Sequence, residues 1–355
     1  MKIIKQKIIH HLPSSIVNRL RLIKILKEKF YYLAYIVGFS RYYPIYLKVR
    51  SSKNIIEKYK MSTPEERWGS AFHLYNSTKS DYAVDLVWSE SPMPGNFGDW
   101  LSPYIISKLS SVDIRHLNEV GSKNKKHILA LGSIMSCANE FSIILGSGVT
   151  NCRVKINPNS YFVSVRGKYT AKLILDQSEN VVNSYGDIGF LLSQVYTPKT
   201  KGIIKNKYLL VRHIQHLNVD IEKNELINEY SIFAAHPVDI ELFIDELQCY
   251  EKVITSAMHC FIACIAYGIP CLLVTFDNIS QRVPGDGVKY LDSLSGVGLS
   301  EVSPLKISSD GKVRLIDFLD KSTFYEDLVN VSVLKEISRA TLKAIDLAKY
   351  KRKNK

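Results

Sequence analysis

Five consecutive residues, Thr255-Ser256-Ala257-Met258-His259, bring two hydroxyls and an imidazole to the point where a short apolar strand gives way to an apolar helix. A helix N-terminus carries backbone N–H groups without intrahelical partners, and its dipole favours negative charge. An anionic ligand is therefore expected beside His259, which becomes the leading candidate for proton transfer or for holding a phosphate.

Other chemistry-bearing residues fall at similar places. Asn96 and Asp99 stand at the opening of a helix, Gly148 closes the strand-end Gly146-Ser147-Gly148, and Arg166 and Arg212-His213 each end an apolar run. Arginine offers a planar fork matched to carboxylate or phosphate. Asp99 could act as a base or orient a hydroxyl. Each has a structural alternative: Asp99 as part of a helix cap, Arg166 as an ion-pair partner of Asp187, Asp187 as the residue fixing a glycine-flanked turn, and His213 and His216 as solvated loop residues.

The elements that must position these groups alternate strand and helix. Strands are expected over 83–88, 127–131, 141–145 and 161–165, with helices over 97–109 and 169–175. After a basic linker at 199–207 the pattern restarts, with strands at 208–211, 231–235, 252–255 and 272–275 and helices at 239–250 and after His259. A final helix, 333–349, is expected to fold back over the first half. Such alternation predicts parallel sheets covered on both faces. The fold class is α/β: two doubly wound, Rossmann-like domains facing a cleft, at 61–200 and 201–330. A basic amphipathic helical extension (1–60) precedes them, and a helix with a basic tail (331–355) follows. Ligands of such sheets bind outside the strands' carboxyl ends. Arg166 and His259, from opposite halves, are expected to converge there.

The formal net charge of +13 over 355 residues is compatible with nucleic acid, an anionic membrane or a phosphorylated substrate as partner. No reading motif or stacking platform favours nucleic acid. The apolar piece 30–38 is too short to span a bilayer, which takes roughly 20 residues. With no secretory signal pattern after Lys2, Lys5 and Lys7, a cytoplasmic protein is expected, its basic first fifty residues able to touch an anionic membrane face. The six cysteines lack any C-x-x-C spacing, so they are expected to be buried thiols, with no metal site.

Five segments in order, Asn96-Phe97-Gly98-Asp99-Trp100-Leu101-Ser102-Pro103, Gly132-Ser133-Ile134, Val165-Arg166-Gly167-Lys168-Tyr169-Thr170-Ala171, Gly186-Asp187-Ile188-Gly189-Phe190-Leu191-Leu192 and Thr255-Ser256-Ala257-Met258-His259, resemble the motifs of polysaccharide pyruvyl transferases. The resemblance covers roughly 84–274. It implies a GT-B-like fold and transfer of a pyruvyl group from phosphoenolpyruvate to a sugar of a surface-glycan precursor, with ketal formation and release of phosphate. It implies no cofactor beyond that donor substrate, and a glycan or lipid-linked oligosaccharide as acceptor. On this reading His259 and Asp99 are catalytic, and Arg166, Arg212, His213, Ser256, Gly148 and Asn96 surround phosphoenolpyruvate. The chain departs from the pattern at Ala257, where many members carry arginine, leaving the anion clamp one cation short. A GT-B-type glycosyltransferase using a nucleotide sugar is the alternative, because fold does not dictate function. Residues 283–300 are expected to border the acceptor.

Overall fold

A computed structural model of the protein describes residues 64–75, 80–90, 92–117, 122–200, 202–277 and 285–352. The helical extension expected over 1–60 lies outside the described residues.

Two parallel sheets form the molecule. In the first, β1 (Tyr82–Val87), β2 (Asp113–His116), β3 (His127–Leu129), β4 (Ser142–Leu145) and β5 (Tyr161–Ser164) lie in the order β2-β1-β3-β4-β5. In the second, β6 (Asn206–Val211), β7 (Ile227–Tyr230), β8 (Tyr250–Thr255), β9 (Cys271–Asp277) and β10 (Leu305–Ser308) lie in the order β10-β9-β8-β6-β7. Both sheets reverse their winding direction once, between β1 and β3 and between β6 and β8. These are the switch points at which open α/β sheets leave a crevice.

Alternate residues of each strand serve opposite faces, as the two-residue period requires. In the second sheet Leu209, Val211, Val253 and Leu273 face one core, whereas Leu210, Ile254, Leu272 and Val274 face another. The first of these cores is shared with Val84, Leu86, Ile128 and Ile143 of the first sheet, so a single apolar interior runs between the two halves. Strands buried on both faces explain the unbroken apolar runs in the sequence.

Seven longer helices cover the sheets: α1 (Pro64–Tyr75), α2 (Phe97–Leu109), α3 (Lys168–Ser178), α4 (Pro237–Leu247), α5 (Met258–Tyr267), α6 (Val288–Gly296) and α7 (Val331–Ala348). The return of the last helix occurs as expected. Ile337, Ala340, Ala344, Ile345 and Ala348 of α7 form a buried stripe at helical spacing, and the chain then adds β11 (Tyr350–Lys351) antiparallel to β1.

One expected strand moves. The partner of β6 is Ile227–Tyr230, and residues 231–235 leave the sheet to meet the first half. There the Phe97 N–H donates to the Ile232 carbonyl (2.9 Å) and the Ala234 N–H to that of Gly95 (2.8 Å). The cause is burial: Ile232, Ala234 and Ala235 enter the shared core, so the backbone beside them pairs across it.

The helix α6 belongs by sequence to the second half but docks on the first. Asp292 accepts from the Thr170 N–H (2.9 Å), from the Thr170 hydroxyl (2.7 Å) and from Arg166 Nε (2.8 Å). It thereby supplies the N-terminal cap that Gly167, without a side chain, cannot give α3. Close approach makes glycine necessary at both contacts. A methyl at Gly167 would lie 1.7 Å from the Asp292 carbonyl oxygen, and one at Gly296 would lie 1.9 Å from that of Arg166. Gly296→Ala is therefore expected to lower unfolding free energy by about 1–3 kcal/mol through overpacking. Denaturant titration followed by circular dichroism checks this, with an unchanged midpoint contradicting the packing described.

Candidate functional site

A cavity of about 600 Å³ opens between the switch points of the two sheets. Ser89, Asn96, Gly98, Asp99 and Ser133 line it from the first half, and His213, Ala257, Met258, His259 and Lys289 from the second.

The turn from β8 into α5 is built by its two hydroxyls. Thr255 Oγ1 donates to the Val211 carbonyl (2.8 Å) and accepts from the Ala257 N–H (3.0 Å), while Ser256 Oγ accepts from the His213 N–H (2.9 Å). Ala257 has no side-chain acceptor, so α5 begins without a side-chain cap. The same holds for α2 behind Asn96, whose amide donates instead to Asp99 Oδ2 (2.8 Å). Two uncapped helix N-termini, one from each half, thus face one cavity and favour negative charge inside it.

The imidazole of His259 lies against Gly98, where a methyl would come within 2.2 Å of Nδ1. Nε2 is buried without a hydrogen bond and faces Asp187 Oδ2 at 3.7 Å. Asp99 has its carboxyl pushed above the usual range by burial, an effect opposed by the Asn96 hydrogen bond and by the charges of His259 and Lys289. Lys289, in the first turn of α6, is lowered to about 8, chiefly by burial and then by Arg166, with Asp99 opposing.

Of the residues singled out from sequence, the structure brings Asn96, Asp99, His213 and His259 to the cavity. It places the others one layer away. The Arg166 side chain is fully buried, with Nη1 on Ser133 Oγ (2.7 Å), Nη2 on the Val149 carbonyl (2.7 Å) and Nε on Asp292. Its ion-pair partner is Asp292, not Asp187. Gly148 leaves space for that guanidinium, whose Cζ would lie 2.4 Å from a methyl there. Arg166 therefore orients Ser133 of the cavity wall, and it does not line the cavity with His259 as expected; the cation that does is Lys289. Arg212 does not line the cavity: Nε binds Glu229 (2.7 Å), and Nη1 binds the carbonyls of His216, Leu217 and Val219, closing the loop after β6. Ser256 is buried and serves the His213 backbone.

The histidines read as solvated are enclosed. His213 is lowered to about 3 and His216 to about 4, both chiefly by burial and then by Lys289. His236 caps α4, its Nδ1 accepting from the Val238 N–H (3.1 Å), and burial lowers it to about 3.

Lys289 was missed in the sequence, because a lone lysine in a Gly- and Asp-containing stretch matches no motif. Its one signal is its place: a cation in the first turn opposes the helix dipole. Among the described residues no group of three or more His, Cys, Asp or Glu could hold a metal ion. The expected burial of the cysteines holds for Cys249, Cys260, Cys264 and Cys271, whereas Cys137 is half-buried and Cys152 exposed. No helix among the described residues is long and apolar enough to cross a membrane.

Two parallel α/β sheets opening on a shared cavity define a protein of two Rossmann-like units. The polysaccharide pyruvyl transferase family model matches residues 19–278, and the chain belongs to that family. It is accordingly a transferase of polysaccharide biosynthesis. The chain is 25% identical over 211 residues to uncharacterized protein L143 of Acanthamoeba polyphaga mimivirus, covering 58% of this chain and 71% of that one. It is also similar to the crystal structure of a functionally uncharacterized Klebsiella pneumoniae protein, with 14% identity and a TM-score of 0.33, covering 61% of this chain and 90% of that one.

The buried histidines set a pH dependence. Their folded-state values lie below the 6.5 of an exposed imidazole, so the unfolded chain binds more protons as pH falls. Stability is complete above about pH 6.5 and is lost below it, by up to about 1.4 kcal/mol per pH unit for each histidine. Melting temperatures between pH 7.5 and 5 test this. His236→Asn, which keeps a capping acceptor and removes one titrating ring, should flatten the slope.

Proposed function

We propose that the cavity binds phosphoenolpyruvate and transfers its pyruvyl group to two hydroxyls of a sugar in a surface-glycan precursor. The observation that carries this reading is the meeting of two uncapped helix N-termini with Lys289 in one cavity. A donor bearing both a carboxylate and a phosphate needs aimed N–H groups and a fixed cation. Lys289 supplies the positive charge that Ala257 does not.

The reaction asks for two proton movements. An acceptor hydroxyl loses its proton as its oxygen attacks C2 of the donor, and the methylene carbon C3 gains one. A second hydroxyl then closes the ketal as the C–O bond to phosphate breaks, its proton leaving with the phosphate. Asp99, made more basic by burial, is suited to accept the hydroxyl proton, and His259 to deliver one to C3. Arg166 acts beneath the floor by holding Ser133. No metal is needed by this scheme. The acceptor is a glycan or lipid-linked oligosaccharide, the architecture is used in the GT-B manner, and the basic stretch before residue 64 brings a cytoplasmic enzyme to an anionic membrane face.

The competing donor, a nucleotide sugar, is separated by thermal shift. Phosphoenolpyruvate should raise the melting temperature and UDP-glucose should not; the reverse result overturns the proposal. Because Lys289 loses its charge near pH 8, protection by phosphoenolpyruvate should weaken as pH rises from 7 to 9. Lys289→Met should weaken it at least tenfold at pH 7 and abolish that pH dependence.

Turnover gives the second test. Mass spectrometry of glycan precursors incubated with enzyme and phosphoenolpyruvate should show a pyruvyl increment, formed about 10²-fold more slowly by His259→Ala. An equal rate would remove the imidazole from the chemistry.

A further inference from the structure

Asp187 is fully buried, and its two carboxylate oxygens have different surroundings. Oδ1 accepts from the Gly189 N–H (2.8 Å) and so caps the short turn Ile188–Leu191. That is the role its glycine-flanked sequence suggests. Oδ2 takes no part in the cap. It has no hydrogen-bond partner, is shielded from solvent and faces His259 Nε2 at 3.7 Å, a nitrogen that is itself buried and without a partner. An unpaired carboxylate oxygen in an apolar interior is costly, and a cap needs only one oxygen.

The surroundings of the ring fix which nitrogen does what. Gly98 packs against the Nδ1 side and lines the cavity with His259, while Nε2 points into the interior. The other charged and titratable groups acting on this region, Asp99 on α2 and His213 after β6, reach it from the cavity. Asp187 alone among these approaches from behind, carried by the first half of the chain, while the imidazole comes from the second.

We infer that Asp187 is a positioning residue for His259: its Oδ2 holds the ring as the Nε2–H tautomer and turns Nδ1 into the cavity as the working nitrogen. A neutral imidazole has one N–H and one lone pair, and the partner of one nitrogen decides the state of the other. With Nε2–H directed at the carboxylate, the Nδ1 lone pair faces the ligand. When the ring is protonated, the Nδ1–H is the proton available for transfer, and the carboxylate balances the charge behind it. At 3.7 Å the two atoms stand within ion-pair distance. What the proton is used for rests on the transfer reaction proposed above; how the ring is held does not.

Asp187→Asn is the discriminating change, because the asparagine carbonyl keeps the cap on Gly189 while its amide meets Nε2 as a donor. Nitrogen-15 NMR of ring-labelled protein at alkaline pH should show the wild-type His259 as the Nε2–H tautomer and the variant shifted to Nδ1–H. Initial rates should show at least a 10²-fold fall in kcat with the KM for phosphoenolpyruvate within about threefold. A wild-type Nδ1–H tautomer overturns the inference without any variant, as does a variant with the wild-type tautomer and rate. If the tautomer changes as expected but phosphoenolpyruvate neither binds nor reacts, the positioning role stands and the donor assignment falls.

Discussion

The buried pair Arg166–Asp292 is the interaction on which the arrangement of the site depends. Both side chains are withdrawn from solvent completely, and removing two ions from water costs several kcal/mol each unless nearly every donor and acceptor is met. Here the remaining bonds go to Ser133, Val149 and Thr170. Those bonds fix three things together: the start of α3, a hydroxyl on the cavity wall and the docking of α6. Lys289 lies one turn before Asp292 on that helix, so the cavity's cation is held by an ion pair that never touches the cavity. The pair is weak evidence for net stability, since breaking one side strands a charge whereas replacing both need not. Its consequence is geometric: α6 has one place on the first half.

The cavity is where local rules of helix design are broken. Asn96 and Ala257 leave two helix starts without side-chain caps, and Lys289 stands against the dipole of a third. Each choice costs local stability, and all three place positive potential at the same opening. Asp99 responds to the same field. Burial pushes its carboxyl up, and the nearby His259 and Lys289 pull it back. Such departures from local consistency, concentrated in one place, are what single this cavity out as the candidate site.

Much of the fold was legible because parallel strands buried on both faces leave unbroken apolar runs, and because Gly and polar residues end them. The apolar run Tyr208–Val211 and the last helix, expected at 333–349, could be assigned in this way. The exchange of 231–235 for Ile227–Tyr230 was not legible, since 231–235 is the more apolar of two short adjacent segments, and the choice between them depends on a core contributed by the other half of the chain. At the site, His259 and Asp99 were visible because each sits at a strand-to-helix turn. Arg166 and Arg212 were misplaced for a shared reason. A strand-end arginine has the same local sequence whether its fork meets a ligand or the protein, and the deciding partners, Asp292 at 126 residues' distance and the carbonyls of the 216–219 loop, are not local. Lys289 had no motif to announce it.

The halves meet through more than their cavity. Phe97 and Phe243 pack with tilted rings, centroids 4.1 Å apart, Arg67 of α1 pairs with Asp239 of α4, and backbone bonds join 95–97 to 232–234. Opening the cavity by separating the sheets would expose this shared core, at about 25 cal/mol for each Å² of apolar surface, and would break buried hydrogen bonds as well. The contact of Gly98 with the His259 ring adds a steric limit in the opposite direction, because closure beyond it drives backbone into imidazole. The cavity is thus bounded on both sides by packing, which also holds its polar groups in place. Preorganisation of this kind is how fixed dipoles and charges lower a barrier without reorganising during the reaction. It also explains why a small glycine, rather than a larger polar residue, precedes Asp99: the space belongs to the imidazole.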